Sequence, residues 1–258
     1  TGSVGKTTTK DMTALVVAQK YKTLKTQGNH NNEIGMPQTL FGLDSSYEAA
    51  VIEMGMSHQG EISRMSMSCQ PDVAVITNIG ISHIENLGTQ ENILKAKLEI
   101  LDGAAYDAPL ILCRDDKLLA GVQLHSDRKV YYYSVSKKDC DVYASGVKTV
   151  DNSITFTINY EGGKIAAQIN CLGEHNVKNA LAAFCVGLAL DIPPEDIVKG
   201  IAQFKPEGLR QNVTVIDGVT YIVDCYNAAP DSMKASLSVL SQAQAEGKRI
   251  CVLGDMLE

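Results

Sequence analysis

The sequence of 258 residues predicts an α/β protein with a mostly parallel sheet and an attached antiparallel part. Three observations support this prediction. The glycine-rich segment TGSVGKTTTK opens directly into a helical pattern, as a phosphate-binding loop does. Short apolar runs then alternate with helical stretches, which is typical of parallel sheets covered by helices. After about residue 128 the runs become β-type, with turn residues between them.

The first half alternates helices with strands. The predicted elements are a helix over Lys6–Lys20, a strand over Tyr47–Gly55, a helix over 58–69, a strand over 71–80, a helix over Glu91–Leu101 and a strand over 108–113. Ligands of such sheets bind beyond the carboxyl ends of the strands. Glu53 and Asn78 follow two of the apolar runs, so we expect chemistry near them.

The second half begins with β-type runs and returns to helices. The expected elements are strands within 129–134, 141–150, 153–160 and 164–170, helices over His175–Leu190 and Pro194–Phe204, a linker over Lys205–Val213, a strand pair at Val213–Ile216 and Tyr221–Asp224, a helix over Asp231–Ala243 and a strand over Arg249–Leu253. We therefore predict a nucleotide-binding domain over residues 1–206, lacking its first strand, and the beginning of a Rossmann-like α/β domain over 207–258.

Composition excludes several classes of protein. The net charge of −7 argues against a nucleic-acid binder, whose surface would be basic. No run approaches the roughly 20 apolar residues of a membrane span. The seven cysteines are scattered and never spaced as CxxC, which argues against zinc sites and disulfides. We expect a cytoplasmic protein without a membrane span or a nucleic-acid partner.

The opening segment predicts a phosphate site. Its G-x-x-G-K-T pattern is shorter than the usual phosphate loop, yet backbone N–H groups at a helix N-terminus still suit phosphate oxygens. Lys6 would add a cation and Thr7 a hydroxyl ligand for Mg²⁺. The predicted nucleotide contacts are Gly2, Ser3, Gly5, Lys6, Thr7 and Thr8. The alternative is a glycine turn with a surface lysine.

Other candidates are weaker on residue evidence alone. Glu53 ends an apolar strand, and a carboxylate at such a place is unfavourable unless a cation pairs with it. Opposite a phosphate loop, Mg²⁺ is the expected cation. The alternative is that the Glu53 side chain faces solvent. His83 is as compatible with a structural role as with a ligand role. Lys95 and Lys97 fit two solvated helix lysines. The segment GNHNNEIG fits a plain turn and an anion contact equally well.

Two asparagines and a later aspartate complete the candidates. Asn176 and Asn179 lie three residues apart and share a helix face. Helix capping explains the first, but less readily the second. Asp224 stands at another strand end, with Asn227 in the loop that follows.

Several segments together resemble the Mur ligase family, the ATP-dependent amide-forming enzymes of peptidoglycan precursor synthesis. They occur in family order along almost the whole chain: TGSVGKTTTK, GNHNNEIGMPQTL, EMGMSHQGEI, ITNIGISHIENLGTQENILKAKLEI, GEHNVKNALAA, DCYNAAPDSM and VLGDMLE. The resemblance implies a central ATPase domain and the start of a C-terminal domain. It also implies that the chain is a fragment without the N-terminal domain that holds the UDP-sugar.

The resemblance further implies an activity and a set of roles. ATP would phosphorylate the carboxylate of UDP-N-acetylmuramoyl-tripeptide, and the amine of D-alanyl-D-alanine would attack the acyl phosphate. The implied catalytic residues are Lys6, His83 and Lys97. The implied ligands of two Mg²⁺ ions are Thr7, Glu53, His83 and a carbamylated Lys97. The implied nucleotide contacts are Asn176, Asn179, Arg210 and Asp224. We expect the complete protein to be a monomer and the fragment by itself to be inactive.

The chain departs from the family pattern at three places. Ser82 precedes His83 where alanine is common. The family segment DDSYNANP stands here as residues 223–230 with one aspartate and one asparagine fewer. Arg210 lies in GLRQ rather than directly after the glycine.

Two alternatives remain at this stage. A folylpolyglutamate or cyanophycin synthetase would share the phosphate loop, but the segment GNHNNEIG argues against both. A non-catalytic nucleotide-binding homologue is the other, and the joint presence of Lys6, Glu53, His83 and Lys97 argues against it.

Overall fold

A computed structural model describes residues 1–124, 127–150, 152–206, 208–243 and 245–256. Glu207, where the second domain is predicted to begin, and residues 257–258 of the segment VLGDMLE lie outside the described residues. The helices are α1 (Lys6–Val17), α2 (Gly35–Leu40), α3 (Glu61–Cys69), α4 (Ile84–Leu87), α5 (Gln90–Leu98), α6 (Lys117–Ala120), α7 (Glu174–Ala189), α8 (Pro194–Ala202) and α9 (Pro230–Gln242), with a 3₁₀ turn at Glu99–Leu101. In this described part of the chain, no helix is long and apolar enough to cross a membrane.

The strands are β1 (Thr23–Lys25), β2 (Ala49–Val51), β3 (Ala74–Ile76), β4 (Leu110–Cys113), β5 (Val130–Ser134), β6 (Val142–Val150), β7 (Ser153–Tyr160), β8 (Gly163–Ile169), β9 (Asn212–Ile216) and β10 (Val219–Val223). Within the described residues, six of them form one sheet in the order β3-β4-β5-β6-β7-β8. Its first four strands are parallel, and β6, β7 and β8 are antiparallel. The prediction of a parallel sheet with an antiparallel part is confirmed.

The first predicted strand belongs to a separate small sheet. Only Ala49–Val51 of the predicted run form β2, which pairs in parallel with β1 rather than with β3. Thr1 instead lies beside β3: its nitrogen donates to the carbonyl of Val75 at 2.9 Å and its carbonyl accepts from Thr77 at 3.0 Å. The phosphate loop therefore starts at the edge of the main sheet.

The helices α1, α7 and α8 pack against one another. α1 contacts both α7 and α8, and α7 also lies on strands of the main sheet. The middle of α7 is apolar on every side, and it is buried from Ala180 to Val186. Gly200 of α8 lies so close to α1 that an added Cβ would come within 2.7 Å of the Val16 Cα.

The last part of the chain starts with a hairpin. β9 and β10 pair through Asp217 and Gly218, both with positive φ, a geometry that a two-residue hairpin turn needs. The helix α9 follows as predicted. The predicted strand at Arg249–Leu253 is wrong: no residue of this run lies in a strand, and Val252 is 92% exposed. The run has no described strand beside it, and a strand without a partner is not stable.

Candidate active site

The phosphate loop is anchored to the end of β3. The Val4 nitrogen donates to Asn78 Oδ1 at 3.0 Å, and the Val4 carbonyl accepts from Asn78 Nδ2 at 2.9 Å and from Thr77 Oγ1 at 2.7 Å. Gly80 donates to the Ser3 hydroxyl at 2.9 Å. Thr77 and Asn78, which follow β3, thus hold the loop in place. The sequence predicts chemistry near Asn78.

Two glycines of the loop leave no room for a side chain. A Cβ on Gly2 would stand 1.8 Å from Thr77 Oγ1. Gly5 precedes the first residue of α1 and lies in the left-handed region, with φ of 79°, and a Cβ there would come within 2.7 Å of Asn179 Oδ1. The glycine pattern therefore reflects close packing of the loop against two neighbouring elements.

The start of α1 presents the groups expected of a phosphate site. The first backbone N–H groups of a helix have no partner within the helix, and its dipole favours an anion there. The Lys6 ammonium donates to the Ser3 carbonyl at 3.3 Å, which keeps the cation over its own loop.

Glu53 lies just beyond β2 and is only 3% exposed. Its Oε1 accepts a hydrogen bond from Asn31 Nδ2 at 2.7 Å. Its Oε2 is buried and has no hydrogen-bond partner within the described residues. A buried carboxylate oxygen in this state is unfavourable unless a cation or donor meets it, so the residue fits a metal ligand and not the solvent-facing alternative.

Lys97 lies on α5 and is 2% exposed. Burial, with a smaller contribution from the nearby Lys6 charge, lowers the pKa of Lys97 from its ordinary 10.5 to about 7. None of the ion pairs formed by the described residues includes it. Lys95, two residues earlier, is exposed. The interpretation of both as solvated helix lysines therefore holds for Lys95 and is wrong for Lys97.

His83 is the residue before the short helix α4 and lies in the left-handed region, with φ of 65°. Its carbonyl accepts from the backbone nitrogens of Asn86 and Leu87, at 3.1 and 3.2 Å. A non-glycine residue in this region is uncommon and is often found at functional sites.

One cavity of about 490 Å³ brings most of these candidates together. It is lined by Gly2, Ser3, Gly5, Lys6, Thr7, Glu53, His83 and Lys97. Asn29, Asn31 and Asn32 of the segment GNHNNEIG line the same cavity. The phosphate loop, the Glu53 carboxylate, the His83 imidazole and the buried Lys97 amine thus line one cavity.

A second cavity, of about 780 Å³, adjoins the other side of the loop. Gly5, Thr7 and Thr8 line it together with Asn176, Asn179, Arg210 and Asp224. Asn179 Oδ1 accepts from Thr9 Oγ1 at 3.1 Å, and Asn179 Nδ2 donates to Asn176 Oδ1 at 3.1 Å. The two asparagines therefore tie α7 to α1 beside the phosphate loop.

Residues of the predicted linker, and others beyond it, line this second cavity. The Arg210 guanidinium lies 4.0 Å from the ring centre of Tyr226, and Arg210 lines both cavities. Asp224 accepts a hydrogen bond from the Ser236 hydroxyl. Gln211 Oε1 accepts from Asn176 Nδ2 at 2.9 Å.

Sequence reasoning missed several partners. The segment GNHNNEIG predicts a turn or an anion contact for Asn31, and it does not predict the hydrogen bond to Glu53. Gln211 and Tyr226 gave no signal of their own, because their roles depend on contacts with distant residues. Within the described residues, no three His, Cys, Asp or Glu side chains cluster as a metal site. The predicted ligand set also uses a hydroxyl and a modified lysine, so it does not need such a cluster.

Comparison with known protein families decides the class of the chain. Residues 1–187 match the Mur ligase middle domain, and residues 209–258 match the glutamate ligase domain of Mur ligases. The chain belongs to the Mur ligase family. The resemblance drawn from the sequence segments is therefore confirmed, and so is the α/β fold it implied.

Two curated relatives of this Mur ligase chain are enzymes with the same name. A UDP-N-acetylmuramoyl-tripeptide–D-alanyl-D-alanine ligase of Bacillus subtilis is 43% identical over the whole chain, which covers 55% of that protein. The enzyme of the same name from Escherichia coli is 35% identical over the whole chain, with 57% of that protein covered. The chain thus spans about half the length of the curated relatives it matches.

Solved structures agree with the fold. MurF from Acinetobacter baumannii superposes with a TM-score of 0.89 at 36% identity, over 94% of this Mur ligase chain and 53% of that protein. MurF ligase from Thermotoga maritima, solved in complex with ADP, gives 0.84 at 28% identity over 93% and 56% of the two chains. A folylpolyglutamate synthase from L. casei shares the fold at 16% identity, with a TM-score of 0.72.

Proposed function

We propose that this Mur ligase chain supplies the ATP-binding part of a UDP-N-acetylmuramoyl-tripeptide–D-alanyl-D-alanine ligase. The reaction would activate the tripeptide carboxylate with ATP and join it to the amine of D-alanyl-D-alanine. The observation that carries the proposal is the single cavity lined by the phosphate loop, Glu53, His83 and Lys97. The 43% identity to a ligase of this name supports the choice of substrates.

The phosphate loop would bind the triphosphate of ATP. Backbone N–H groups at the start of α1 and the Lys6 ammonium would hold the phosphate oxygens, with Ser3 and Thr8 beside them. Positive groups placed where charge develops lower the barrier of phosphoryl transfer. The ADP complex of the T. maritima relative supports nucleotide binding by this fold.

Magnesium fits the residues around the same cavity. The vacant Glu53 Oε2, the Thr7 hydroxyl and the His83 imidazole would be its ligands, and we propose two ions by analogy with the family. When bound, Mg²⁺ supplies charge neutralisation for the transferring phosphoryl group. Glu53 and Thr7 belong to different elements, so they would fix the ion relative to the loop.

Lys97 would act as a carbamate. The depressed pKa leaves a large share of its amine neutral near pH 7. A neutral amine attacks CO₂ to form an N–C bond and releases one proton to water, which turns a buried cation into an anion. The change would remove the repulsion between Lys97 and Lys6 and would add a carboxylate to the magnesium site.

The second cavity would hold the nucleoside part of ATP. Asn176 and Asn179 have amide groups beside the loop, and Arg210 and Asp224 would close over the nucleotide from the C-terminal side. The ranges of the two family matches support our domain boundary between residues 206 and 207. We further propose a monomer that works in the cytoplasm, where its UDP-linked substrate would be made.

The rival functions predict different products. A folylpolyglutamate or cyanophycin synthetase would join other substrates, and the 16% identity to the L. casei enzyme supports a shared fold alone. A non-catalytic homologue would bind ATP without turnover. The polar cavity around Glu53 and Lys97 favours an enzyme over this second rival.

Mass spectrometry of the reaction tests the proposal. The complete gene product should join D-alanyl-D-alanine to UDP-N-acetylmuramoyl-tripeptide only with ATP and Mg²⁺ present. Lys97→Ala should abolish product formation and any dependence on bicarbonate, whereas the exposed control Lys95→Ala should keep activity within about twofold of wild type. ATP binding without this product, or product formed instead from the substrates of a rival synthetase, would overturn the assignment.

A further inference from the structure

Two hydrogen bonds hold Glu53 in place, and one of its two carboxylate oxygens has no hydrogen-bond partner among the described residues. Its backbone nitrogen donates to the Thr26 hydroxyl at 3.0 Å. Its Oε1 accepts from Asn31 Nδ2 at 2.7 Å. Its Oε2 is buried without a hydrogen-bond partner in the described part of the chain. The two carboxylate oxygens therefore differ, because Oε1 is occupied by a hydrogen bond and Oε2 remains available to a cation.

The residues that hold Glu53 are themselves fixed. The Asn31 carbonyl accepts from the Gly55 nitrogen at 2.6 Å, and a Cβ on Gly55 would lie 3.2 Å from the Asn31 side chain. Thr26 is completely buried, and its carbonyl accepts from the Lys10 ammonium at 2.9 Å. Asn31 is thus clamped to the chain two residues beyond Glu53, so its amide cannot easily turn away.

A carboxylate with one occupied oxygen suits some cations better than others. Mg²⁺ requires compact octahedral coordination and takes a carboxylate through one oxygen. Ca²⁺ accepts six to eight ligands and often uses both oxygens of a carboxylate. The hydrogen bond from Asn31 competes with any cation for Oε1, and this competition penalises the two-oxygen mode.

We propose that Asn31 is a positioning residue that restricts Glu53 to one cation-binding oxygen and so makes the nucleotide site prefer Mg²⁺ over Ca²⁺. Thr26 and Lys10 support this arrangement by fixing the backbone of Glu53. The proposal rests on the proposed function, because it needs a divalent cation to bind with the nucleotide. It concerns which cation is chosen and not whether the chain is a ligase.

Titration calorimetry on the complete enzyme tests the proposal with a non-hydrolysable ATP analogue. Affinity is measured with Mg²⁺, with Ca²⁺ and with EDTA, for wild type, Asn31→Ala and Asn31→Asp. We expect Mg²⁺-supported affinity to fall about tenfold in Asn31→Ala, while Ca²⁺-supported affinity changes by less than about threefold. Asn31→Asp has nearly the same shape and adds a second carboxylate, so it should shift the preference further towards Ca²⁺.

Asn29→Ala is the matched control, because Asn29 lines the same cavity and has no described contact with Glu53. It should leave the ratio of the two affinities unchanged. Binding of the analogue in EDTA reports whether each variant is folded, and if Asn31→Ala does not fold, Asn31→Asp decides. An unchanged ratio in a folded Asn31 variant would overturn this inference alone. A wild type whose nucleotide affinity ignores divalent cations would overturn it together with the proposed function.

Discussion

At the scale of single residues, Lys97 shows what burial does to a charge. The ammonium form would lie in a nearly closed space close to Lys6, so both desolvation and repulsion favour the neutral amine and bring the pKa to about 7. Lys95 has the same side chain on the same helix and is exposed. The positions differ by two residues, about 200° around a helix, which is enough to place them on different sides.

The first prediction follows from this pKa. From about pH 7 to 10.5 the unfolded chain keeps a proton on Lys97 that the folded chain has released, so rising pH through this window favours folding. In buffer free of CO₂ and bicarbonate, which keeps Lys97 as the free amine, denaturant unfolding at several pH values should show that the wild type gains stability relative to Lys97→Met, with a slope of at most about 1.4 kcal/mol per pH unit. Below pH 7 the difference should stay constant.

The exposed control is Lys95→Met, whose stability should track that of the wild type across the same pH range. Taking differences between variants also removes the contribution of the buried cysteines, because these titrate equally in each protein. Parallel curves for wild type and Lys97→Met between pH 7 and 10 would contradict the depressed pKa.

Residue roles could be predicted only where a motif carries them. The glycines, Lys6 and Thr7 form a local pattern, and the structure places them together at the start of α1. The bond between Asn31 and Glu53 joins residues 22 positions apart, and no local pattern encodes it. Lys97 could be singled out only through the family resemblance, since periodicity alone does not tell which lysine faces the core.

At the scale of elements, the packing of α1 decides where the phosphate loop lies. α1 contacts α7 and α8, and Gly200 lets the α8 backbone approach α1 closely. An added Cβ at Gly200 would stand 2.7 Å from the Leu15 carbonyl oxygen and 2.7 Å from the Val16 Cα. These neighbours are backbone atoms, which cannot rotate away as a side chain tip can.

We therefore predict that Gly200→Ala destabilises the chain by about 1–3 kcal/mol, because α8 must move away from α1. This loss should exceed the small gain that alanine normally brings to a helix. Lys199→Ala, at the neighbouring exposed position, removes only a surface ion pair and should change stability by less than about 1 kcal/mol. Thermal unfolding of both variants measures the difference, and equal melting temperatures would disprove the close packing.

Long periodic elements could be predicted from sequence, and short or partner-dependent ones could not. The helices α1 and α7 and the apolar strands β3 and β4 follow from strong local patterns. β1 has three residues, which are too few for a sequence pattern, so its pairing with β2 cannot be predicted from the sequence. The strand expected at Arg249–Leu253 is absent from the described residues because strand formation needs a neighbour, which an apolar run does not supply by itself.

At the scale of the whole molecule, the apolar core is unevenly distributed. Most buried apolar side chains lie between Met12 and Phe204, whereas among the described residues after 207 only Ala229 and Val239 are buried. Val215, Ile250 and Val252 are exposed there. Contacts around the second cavity, such as the bond from Asn176 to Gln211, connect the two parts.

We predict that limited proteolysis of the 258-residue chain cleaves first within residues 208–256 and leaves a resistant product ending near residue 206. Local opening is easiest where few apolar side chains are buried, and proteases cut the opened form. Adding an ATP analogue with Mg²⁺ should slow this cleavage, because residues from both parts line the second cavity. The Gly5→Ala variant, whose Cβ would meet Asn179, should lose this protection. Early cleavage inside residues 1–206 would contradict both the uneven core and the domain boundary that we propose.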